Sequence, residues 1–259
     1  MVAAMRTALT IAGSDSGGGA GLQADLKSFT AVGVHGTSVI TCVTSQNTHA
    51  VTSIFPLPAA EIRSQIRAVL DDFEVRGAKT GMLYSREIIE AVAVVASRPG
   101  FPPLVVDPVM VATSGARLLQ DDAVSAYRER LLPRAALVTP NLDEAKVFLG
   151  RAIASADAMP DAARRLADSL GCPVLLKGGH LAGETVVDVL WDGRRSWWWE
   201  GNRIGGVTTH GTGCTLSAAV AARLSHGDML PEACAAARDH LRRVMMEPAE
   251  LSDGRRLLG

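Results

Sequence analysis

Short apolar runs alternate along this chain with longer stretches in which apolar residues recur every three or four positions. The short runs are rich in β-branched residues and predict strands at 8–12, 37–43, 51–55, 75–79, 104–106, 136–138 and 173–176. The longer stretches predict helices near 22–33 and at 59–73, 88–95, 121–132, 141–149, 161–170, 214–224 and 231–246. Strands that alternate with helices indicate an α/β fold with a largely parallel sheet.

One segment breaks this alternation. Two β-rich runs, 185–191 and 196–199, flank Asp192-Gly193, a dipeptide typical of a tight hairpin turn. The second run contains three consecutive tryptophans, Trp197, Trp198 and Trp199. We expect two of them to pack on opposite faces of the strand, and we do not interpret the cluster as a base-stacking platform.

Length and composition bound the class of protein. The chain has 259 residues with no repeat, low-complexity segment or linker, so we expect one domain over residues 1–259. Hydrophobic residues make up 47% and charged residues 20%, which excludes a disordered chain. The net charge of -1 argues against a nucleic-acid binder. No apolar run is long enough to cross a bilayer, so no membrane partner is expected.

The N-terminus and the cysteines bear on location. Residues 1–13 are apolar but lack a basic region and a cleavage site, so they predict a first strand and not a signal peptide. The four cysteines are scattered and form no CxxC pair, which favours neither a zinc site nor a disulfide framework. Free thiols are typical of the cytoplasm.

The segment THGTGCTLSAAVAARL, 209–224, joins a glycine-rich turn to an apolar helix. Gly211 and Gly213 allow the backbone to turn tightly and to approach a ligand. The free amides and the positive dipole end of the helix favour an anion, phosphate in particular, and also a thiolate at Cys214. The residues alone fit equally well a glycine-punctuated loop before a core helix.

Polar and glycine residues recur immediately after the predicted strands. They are 13–21, Gln46 and Asn47, Gly81 and Met82, Asp107, 141–144, and 177–180. Ligands of open α/β sheets bind at the carboxyl ends of the strands. We therefore expect these groups to converge on one edge of the sheet.

The chemistry of this set points to phosphoryl transfer. Asp107 and Glu144 are oxygen ligands of the kind magnesium prefers, and Lys177 offers a point charge beside two glycines. Neither a P-loop nor a clean dinucleotide fingerprint occurs. Taken singly, each of these residues can also be explained without a functional role. Asp107 can be a turn residue, Glu144 a solvated acid in the first turn of a helix, and Lys177 a surface lysine. Cys214 can be a small buried apolar residue, and His180 a structural or surface histidine.

Seven segments in order give the chain a resemblance to a known family. They are ALTIAGSDSGGGAGLQADLKSF, VTSQNT, KTGML, VDPVMVATSG, LVTPNLDEA, LLKGGH and THGTGCTLSAA. Together they resemble the hydroxymethylpyrimidine/phosphomethylpyrimidine kinases of thiamine biosynthesis, in the ribokinase-like group. The resemblance implies a three-layer α/β/α fold with a mostly parallel central sheet, often as a homodimer. It also implies two successive MgATP-dependent phosphorylations, of 4-amino-5-hydroxymethyl-2-methylpyrimidine and then of its monophosphate.

The resemblance assigns roles to residues that match the motifs. The pyrimidine is expected against Gly13, Asp25, Gln46, Met82 and Val109. Magnesium and phosphate are expected at Asp107 and Glu144. The ATP phosphates are expected at Lys177, Thr212 and Gly213, with residues 211–214 as the anion hole.

Cys214 stands where many ribokinase-like enzymes have an aspartate that acts as a base. An ordinary thiol pKa is about 8.5, and a helix N-terminus lowers it. We therefore expect a pKa near neutral, and the hypothesis is that Cys214 deprotonates the hydroxymethyl group.

The chain departs from the family pattern at two places. Thr208-Thr209-His210 stands where Asn-Thr-His is usual, and the C-terminus EPAELSDGRRLLG lacks the usual glycine- and histidine-containing tail. Two other functions stay open. One is a pyridoxal kinase, because pyridoxine also carries a hydroxymethyl group on a nitrogen ring. The other is a non-catalytic pyrimidine-binding regulator, which would not need the metal and phosphate groups.

Overall fold

The computed structural model describes residues 4–258; residues 1–3 and 259, where the predicted N-terminal segment begins and the chain ends, lie outside that part. The strands are β1 Arg6–Asp15, β2 Val34–Gln46, β3 Val51–Pro56, β4 Val75–Thr80, β5 Leu104–Val106, β6 Leu137–Val138, β7 Val174–Lys177, β8 Thr185–Trp191, β9 Ser196–Asn202, β10 Ala249–Glu250 and β11 Arg256–Leu257. The helices are α1 Gly21–Ala31, α2 Ala59–Asp72, α3 Arg86–Ala96, α4 Ala123–Ala126, α5 Leu142–Leu149, α6 Met159–Leu170, α7 Thr212–His226 and α8 Leu230–Met246.

Nine strands form one sheet in the order β3-β2-β1-β4-β5-β6-β7-β8-β9. The pairs from β2 through β7 are parallel, whereas β3 and β8 run antiparallel to their neighbours and β9 runs antiparallel to β8. The carboxyl ends of β1, β2, β4, β5, β6 and β7 therefore share one edge. None of the helices in the described part could cross a membrane.

Both faces of the sheet are covered by apolar cores, because consecutive strand residues point to opposite sides. Leu9 belongs to a core with residues of α2, α3 and α6, and Ala8 belongs to a core with residues of α1, α7 and α8. Helix α7 is rich in alanine and is buried along most of its length against the sheet and its neighbours. The three-layer α/β/α fold with a mostly parallel sheet is confirmed.

Several observed elements begin or end beyond the predicted bounds, as β2 does at Val34–Gln46 against the predicted 37–43, and two differences have a clear physical reason. Strand β1 continues past Ala12 to Asp15, because it pairs with β2 as far as Asp15 and Thr44 after an irregularity between Ala12 and Ser14. The helix predicted at 121–132 is α4 followed by a wider turn at 127–131 and a 3₁₀ turn at 132–134 that contains Pro133. Proline lacks the amide that would continue a regular helix.

The predicted hairpin is formed by β8 and β9, and its tryptophans lie on opposite faces of β9, as expected. Trp197 and Trp199 share the inner face and pack against the core that includes α8, whereas Trp198 points the other way and is 41% exposed. The Trp197 indole donates to Asp192 in the turn at 2.8 Å, which fixes the end of the hairpin.

Candidate active site

A cleft of about 760 Å³ lies at the carboxyl ends of the parallel strands. We call the part of its lining at the ends of β1, β2 and β4 and in the loop after β5 the first lobe; it includes Gly13, Gln46, Met82 and Val109. We call the part of the lining on β8, the segment after β9 and helix α8 the second lobe; it includes Val186, Ile204, Leu241 and Met245. In the sheet order, Asp107 after β5 and Lys177 of β7 lie between these two sets, and they line the same cleft with Gly213 and Cys214. Most of the predicted strand-end groups therefore do converge.

The cleft lining between the two lobes includes a buried ion pair. Lys177, the last residue of β7, donates from Nζ to Oδ1 of Asp107 at 2.9 Å, and its side chain keeps 14% of its surface exposed. Asp107 also accepts from Thr139 at 3.2 Å. Its Oδ2 lies 3.4 Å from the hydroxyl of Ser217 in α7, whose hydrogen has a closer acceptor in the Gly213 carbonyl at 2.9 Å. The carboxylate raises the pKa of Lys177 against the lowering effect of burial. The lysine is thus a fixed cation at the cleft.

Glu144 lies in the first turn of α5, where it completes a capping box with Asn141. Its Oε2 accepts from the Asn141 amide at 2.8 Å, while the Asn141 side chain accepts from the amides of Asp143 and Glu144. Burial, and after it the Asp107 charge, raises the pKa of Glu144 to about 7 against the opposing effect of Lys177. Burial thus disfavours the charged form of this carboxyl group, and a nearby cation such as Lys177 favours it.

The turn before α7 has the geometry of an anion site. Gly211 has φ +86°, and a Cβ there would lie 1.9 Å from the Gly19 carbonyl oxygen, so only glycine fits. Across residues 4–258, no carbonyl accepts from the amides of Gly213 and Cys214. A Cβ on Gly213 would lie 3.2 Å from Lys177 Nζ, so an oxyanion can approach both the amides and the lysine. Thr212 is held otherwise, because its hydroxyl donates to the Thr209 carbonyl at 2.9 Å.

Cys214 is half-buried at the start of α7 and lines the cleft, as predicted, but the expected lowering of its pKa is wrong. Burial raises the pKa of its thiol to about 11, and the carboxylates Asp25 and Asp107 act in the same direction. The charge of Lys79 and the Gly21 amide oppose this shift without reversing it. The local effect of the helix end is outweighed by the desolvated surroundings.

Asp25 does not reach the cleft wall. Its carboxylate is fully buried, accepts from Lys79 Nζ at 2.8 Å at both oxygens, and accepts from Thr10 at 2.5 Å. A direct contact between Asp25 and a bound ring is therefore not available. The sequence pattern places Lys79 at the end of a weak predicted strand and does not indicate a role for it. Its burial becomes visible only in the tertiary contact with Asp25 of α1.

The other predicted residues of the first lobe are brought together. A Cβ on Gly13 would lie 3.2 Å from Met82 Sδ, so the glycine leaves room for the methionine side chain. Gln46 is the last residue of β2 and is half-buried, and Val109 follows Asp107. Two side chains that sequence reasoning left without a role, Asp15 and His210, line the same lobe.

The glycine-rich loop after β1 is organised by Asp15. The carboxylate accepts from the amides of Gly17, Gly19 and Ala20 at 2.8, 3.1 and 2.8 Å and contacts His210 Nε2 at 2.9 Å. Burial would raise the pKa of Asp15, but the hydrogen bond to His210 and those from the backbone hold it below its usual range. An aspartate directly before a glycine run is the sequence signal for such a loop.

An ion pair orders the second lobe, and the C-terminal segment lies beside the turn before α7. Arg238 of α8 donates to Asp188 of β8 at 2.6 Å, and Asp188 also accepts from the Gly178 amide at 3.0 Å, which orders the loop after β7. His180, in that loop, is exposed beside Asp143, as expected of a surface histidine. The tail reaches the turn before α7, where the Arg256 carbonyl accepts from the Thr208 amide at 3.3 Å.

Within residues 4–258, no group of three or more His, Cys, Asp and Glu side chains could hold a metal alone. Magnesium is commonly bound by one or two carboxylates, several waters and substrate phosphates. The carboxylates of Asp107 and Glu144, beside the open amides of α7, fit a cation that arrives with a phosphate group.

Comparison with known proteins shows extensive similarity. Residues 15–258 match the family model described as phosphomethylpyrimidine kinase. The hydroxymethylpyrimidine/phosphomethylpyrimidine kinase of Rhizobium meliloti is 49% identical over 248 residues, which cover 95% of this chain and 93% of that protein.

Two solved structures have the same fold. Bacillus subtilis pyridoxal kinase, in an ADP complex, superposes with a TM-score of 0.88 at 38% identity and covers 98% of this chain and 97% of its own. The phosphomethylpyrimidine kinase of Clostridium difficile gives a TM-score of 0.81 at 39% identity, covering 92% and 98%.

Proposed function

The chain belongs to the phosphomethylpyrimidine kinase family, and we propose that it transfers the terminal phosphoryl group of ATP to 4-amino-5-hydroxymethyl-2-methylpyrimidine and then to the monophosphate product. The family match over residues 15–258 and the relative that is 49% identical support the kinase and its role in thiamine biosynthesis. The observation that carries the proposal is that Lys177, Asp107 and the open amides of α7 line the same cleft as the residues of both lobes.

We assign the first lobe to the pyrimidine. Gly13, Met82 and Val109 provide a narrow, mainly apolar wall for a flat ring. Gln46 supplies an amide that can both donate and accept hydrogen bonds at a ring edge. Asp25 is assigned a different role from that implied by the resemblance: it keeps Lys79 charged and buried below the site.

The second lobe is assigned to the nucleotide base and sugar. Its walls, Val186, Ile204, Leu241 and Met245, are apolar and suit a flat base. The amides of Gly213 and Cys214 and the Nζ of Lys177 then face the phosphates. We also assign Thr212 to the nucleotide site, because it lines the cleft at the start of α7.

ATP with magnesium would supply the transferable phosphoryl group and neutralise its charge. Asp107 and Glu144 would hold the cation, and Lys177 and the α7 amides would stabilise the oxygens of the phosphoryl group as it moves. Transfer of this kind proceeds through a loose transition state, so the protein acts mainly by positioning and charge.

Cys214 is proposed to face the reacting hydroxymethyl oxygen as a hydrogen-bonding thiol. A thiol with a pKa of about 11 is protonated at neutral pH, so the resting site does not hold a ready thiolate base. Early proton removal is not needed in a loose transition state, and the hydroxyl proton can leave late, to an oxygen of the transferred phosphoryl group or to solvent.

Mass spectrometry of the products tests the proposed function. The protein is incubated with MgATP and the free pyrimidine, and separately with MgATP and its monophosphate. We expect one added phosphoryl group in each reaction. No mass gain on the free pyrimidine, with binding retained, would instead indicate the non-catalytic regulator.

Pyridoxal is a second candidate substrate, because the Bacillus subtilis pyridoxal kinase structure superposes on this chain with a TM-score of 0.88. The identities to that kinase and to the phosphomethylpyrimidine kinase structure, 38% and 39%, do not separate the two. Parallel measurement of kcat/KM for both substrates does, and we expect the pyrimidine to be preferred.

A homodimer is also proposed. Val43 of β2 and Phe55 of β3 are partners in the sheet register and are 47% and 64% exposed. Neighbouring exposed apolar residues at a sheet edge are typical of protein contacts. Sedimentation analysis of the wild type and of Phe55→Lys tests this, with the variant expected as a monomer.

A further inference from the structure

Three side chains from separate segments meet at the rim of the first lobe. His210 Nε2, from the turn before α7, lies 2.9 Å from Oδ2 of Asp15 and 3.4 Å from Nε2 of Gln46. Oε1 of Gln46 lies 3.2 Å from the hydroxyl of Thr44. The Asp15 and His210 side chains are only 3% and 14% exposed, so water does not replace these partners freely.

The proton on His210 is set by Asp15. The Asp15 carboxylate, which already accepts from three backbone amides, requires a donor at its contact with the imidazole. Nε2 of His210 must therefore carry a hydrogen. An N–H of the Gln46 amide cannot donate to an imidazole nitrogen that is itself a donor.

The contact between Thr44 and the other polar atom of the Gln46 amide favours the same orientation of that amide. Its hydroxyl has one hydrogen and donates to the Ser14 carbonyl at 2.8 Å. The hydroxyl is then free only to accept from Gln46. Because amide oxygen and nitrogen exchange places by rotation about the last torsion, both partners favour the orientation with the oxygen toward His210 and the nitrogen toward Thr44.

We infer that His210, held by Asp15, is a specificity-determining positioning residue that fixes the orientation of the Gln46 amide in the first lobe. The inference rests on the proposed function, since it concerns how that site reads its pyrimidine. The single Nε2–H of His210 is directed at Asp15 at 2.9 Å, and the Gln46 oxygen at 3.4 Å shares it only as a weaker second acceptor. In the fixed orientation, the Gln46 oxygen therefore keeps at least one lone pair and its nitrogen keeps one hydrogen. The amide thus offers one acceptor and one donor in a set order.

An aminopyrimidine edge matches this order, because its amino group donates and the adjacent ring nitrogen accepts. The corresponding 4-oxo pyrimidine reverses the pattern, since its carbonyl accepts and its ring N–H donates. A fixed amide accepts the first edge and leaves buried groups unpaired against the second. A freely rotating amide accepts both.

The experiment compares the 4-amino and 4-oxo compounds as ligands. Dissociation constants come from calorimetry and kcat/KM from product mass spectrometry. Both are measured for the wild type, His210→Leu, His210→Gln and Gly19→Ala. A Cβ on Gly19 would lie 2.8 Å from Cδ2 of His210 and would displace the ring without removing a polar group. His226→Leu, which changes an exposed histidine at the other end of α7, is the matched control.

We expect the wild type and His226→Leu to prefer the amino compound strongly. His210→Leu and Gly19→Ala should reduce that preference at least tenfold, mainly through tighter binding of the oxo compound. His210→Gln should restore part of the preference, because its amide N–H can replace the imidazole N–H. A purely structural role would weaken both ligands together and leave their ratio unchanged.

Unchanged discrimination in His210→Leu, with folding retained, would overturn the inference. A wild type that binds both compounds equally would overturn it as well. A wild type that binds and discriminates but adds no phosphoryl group would instead overturn the proposed kinase activity and leave the inference standing.

Discussion

Two lysine–aspartate pairs lie near Cys214, and their surroundings differ. Lys79 and Asp25 are fully buried, and the lysine donates to both carboxylate oxygens at 2.8 Å. Lys177 and Asp107 meet at 2.9 Å through one oxygen, and the lysine keeps 14% of its side chain open to the cleft. Both pairs influence the Cys214 thiol, since the charges of Lys79, Asp25 and Asp107 all act on its pKa.

The difference shows why two ion pairs of the same residue types have different roles. We call the buried pair of Lys79 and Asp25 the sealed pair and the pair of Lys177 and Asp107 the open pair. In the sealed pair, both hydrogen bonds of the lysine go to Asp25. The Lys79 charge therefore stabilises the fold and adds a positive charge below the site. In the open pair, the second oxygen of Asp107 has one polar neighbour among residues 4–258, the Ser217 hydroxyl at 3.4 Å. Lys177 and Asp107 therefore retain donor and acceptor capacity for a ligand.

The largest expected effect comes from breaking the sealed pair. Asp25→Ala leaves the Lys79 ammonium buried without its partner, so we expect a loss of about 3–5 kcal/mol in the free energy of unfolding. Urea denaturation followed by circular dichroism measures it. The double variant Asp25→Leu/Lys79→Met replaces both charges with apolar groups and should recover most of the loss.

Recovery of stability without recovery of activity would show that the Lys79 charge also acts on the reaction. A stability loss below 1 kcal/mol in Asp25→Ala would contradict the sealed character of the pair, because it would require water to reach Lys79.

Breaking the pair between Lys177 and Asp107 should lower activity more than stability. Lys177→Gln removes the cation that faces the phosphates, and we expect kcat/KM to fall about 10²–10³-fold, as for the loss of one preorganised charge stabiliser. Steady-state assays with the free pyrimidine measure this. Lys146→Gln, on the exposed face of α5, is the matched control and should be near wild type.

Equal losses of activity and stability in Lys177→Gln would mean that the two pairs are alike and that openness to the cleft does not distinguish them. Retained kcat/KM would remove Lys177 from the transfer step.

The contrast between the pairs also marks what the sequence could reveal. Asp107 and Lys177 follow apolar runs that become parallel strands, and parallel strands bring their carboxyl ends to one edge. Their convergence was therefore predictable from local pattern and topology. The same holds for Glu144, since Asn141 and Glu144 carry a capping-box spacing that places the acid in the first turn of α5.

The sealed pair was not predictable in the same way. Asp25 lies in a predicted helix and Lys79 in a predicted strand, and nothing in either segment indicates that they meet. The depth of a side chain depends on the packing of α1 against the sheet, which is a tertiary property. The pKa of Cys214 shows the same limit, because the helix end is visible in the sequence and the burial that outweighs it is not.

A smaller effect on stability is expected when the threonine hydroxyl that donates to each aspartate is removed. Thr10 donates to Asp25 at 2.5 Å, and Thr139 donates to Asp107 at 3.2 Å. Thr10→Val should lower the free energy of unfolding by about 1.5–3 kcal/mol, as for a hydrogen bond to a charged group. Thr139→Val should cost less stability, because the cleft side of its aspartate is better solvated. Paired thermal denaturation of the two variants gives the comparison, and a reversed order would contradict it.

The smallest effect is expected at Cys214, which lies near both pairs. Its raised pKa of about 11 means that the thiol stays protonated through the neutral range and becomes a thiolate only as the pH rises toward that value. We expect Cys214→Ala to lower kcat about tenfold, the value of one hydrogen bond, rather than the 10²–10⁴-fold typical of a lost general base. Cys214→Ser should stay closer to wild type.

The pH dependence decides between these roles for Cys214. Alkylation of this residue by iodoacetamide, followed by peptide mass spectrometry, should keep accelerating above pH 10, whereas an unshifted thiol with a pKa of about 8.5 levels off above about pH 9.5. Lys79→Met should push the rise to still higher pH, because it removes the charge that favours the thiolate. A plateau near neutral pH, matched by a rise in kcat/KM that Cys214→Ser abolishes, would restore the thiolate as the base and would mean that the sealed Lys79 charge outweighs burial.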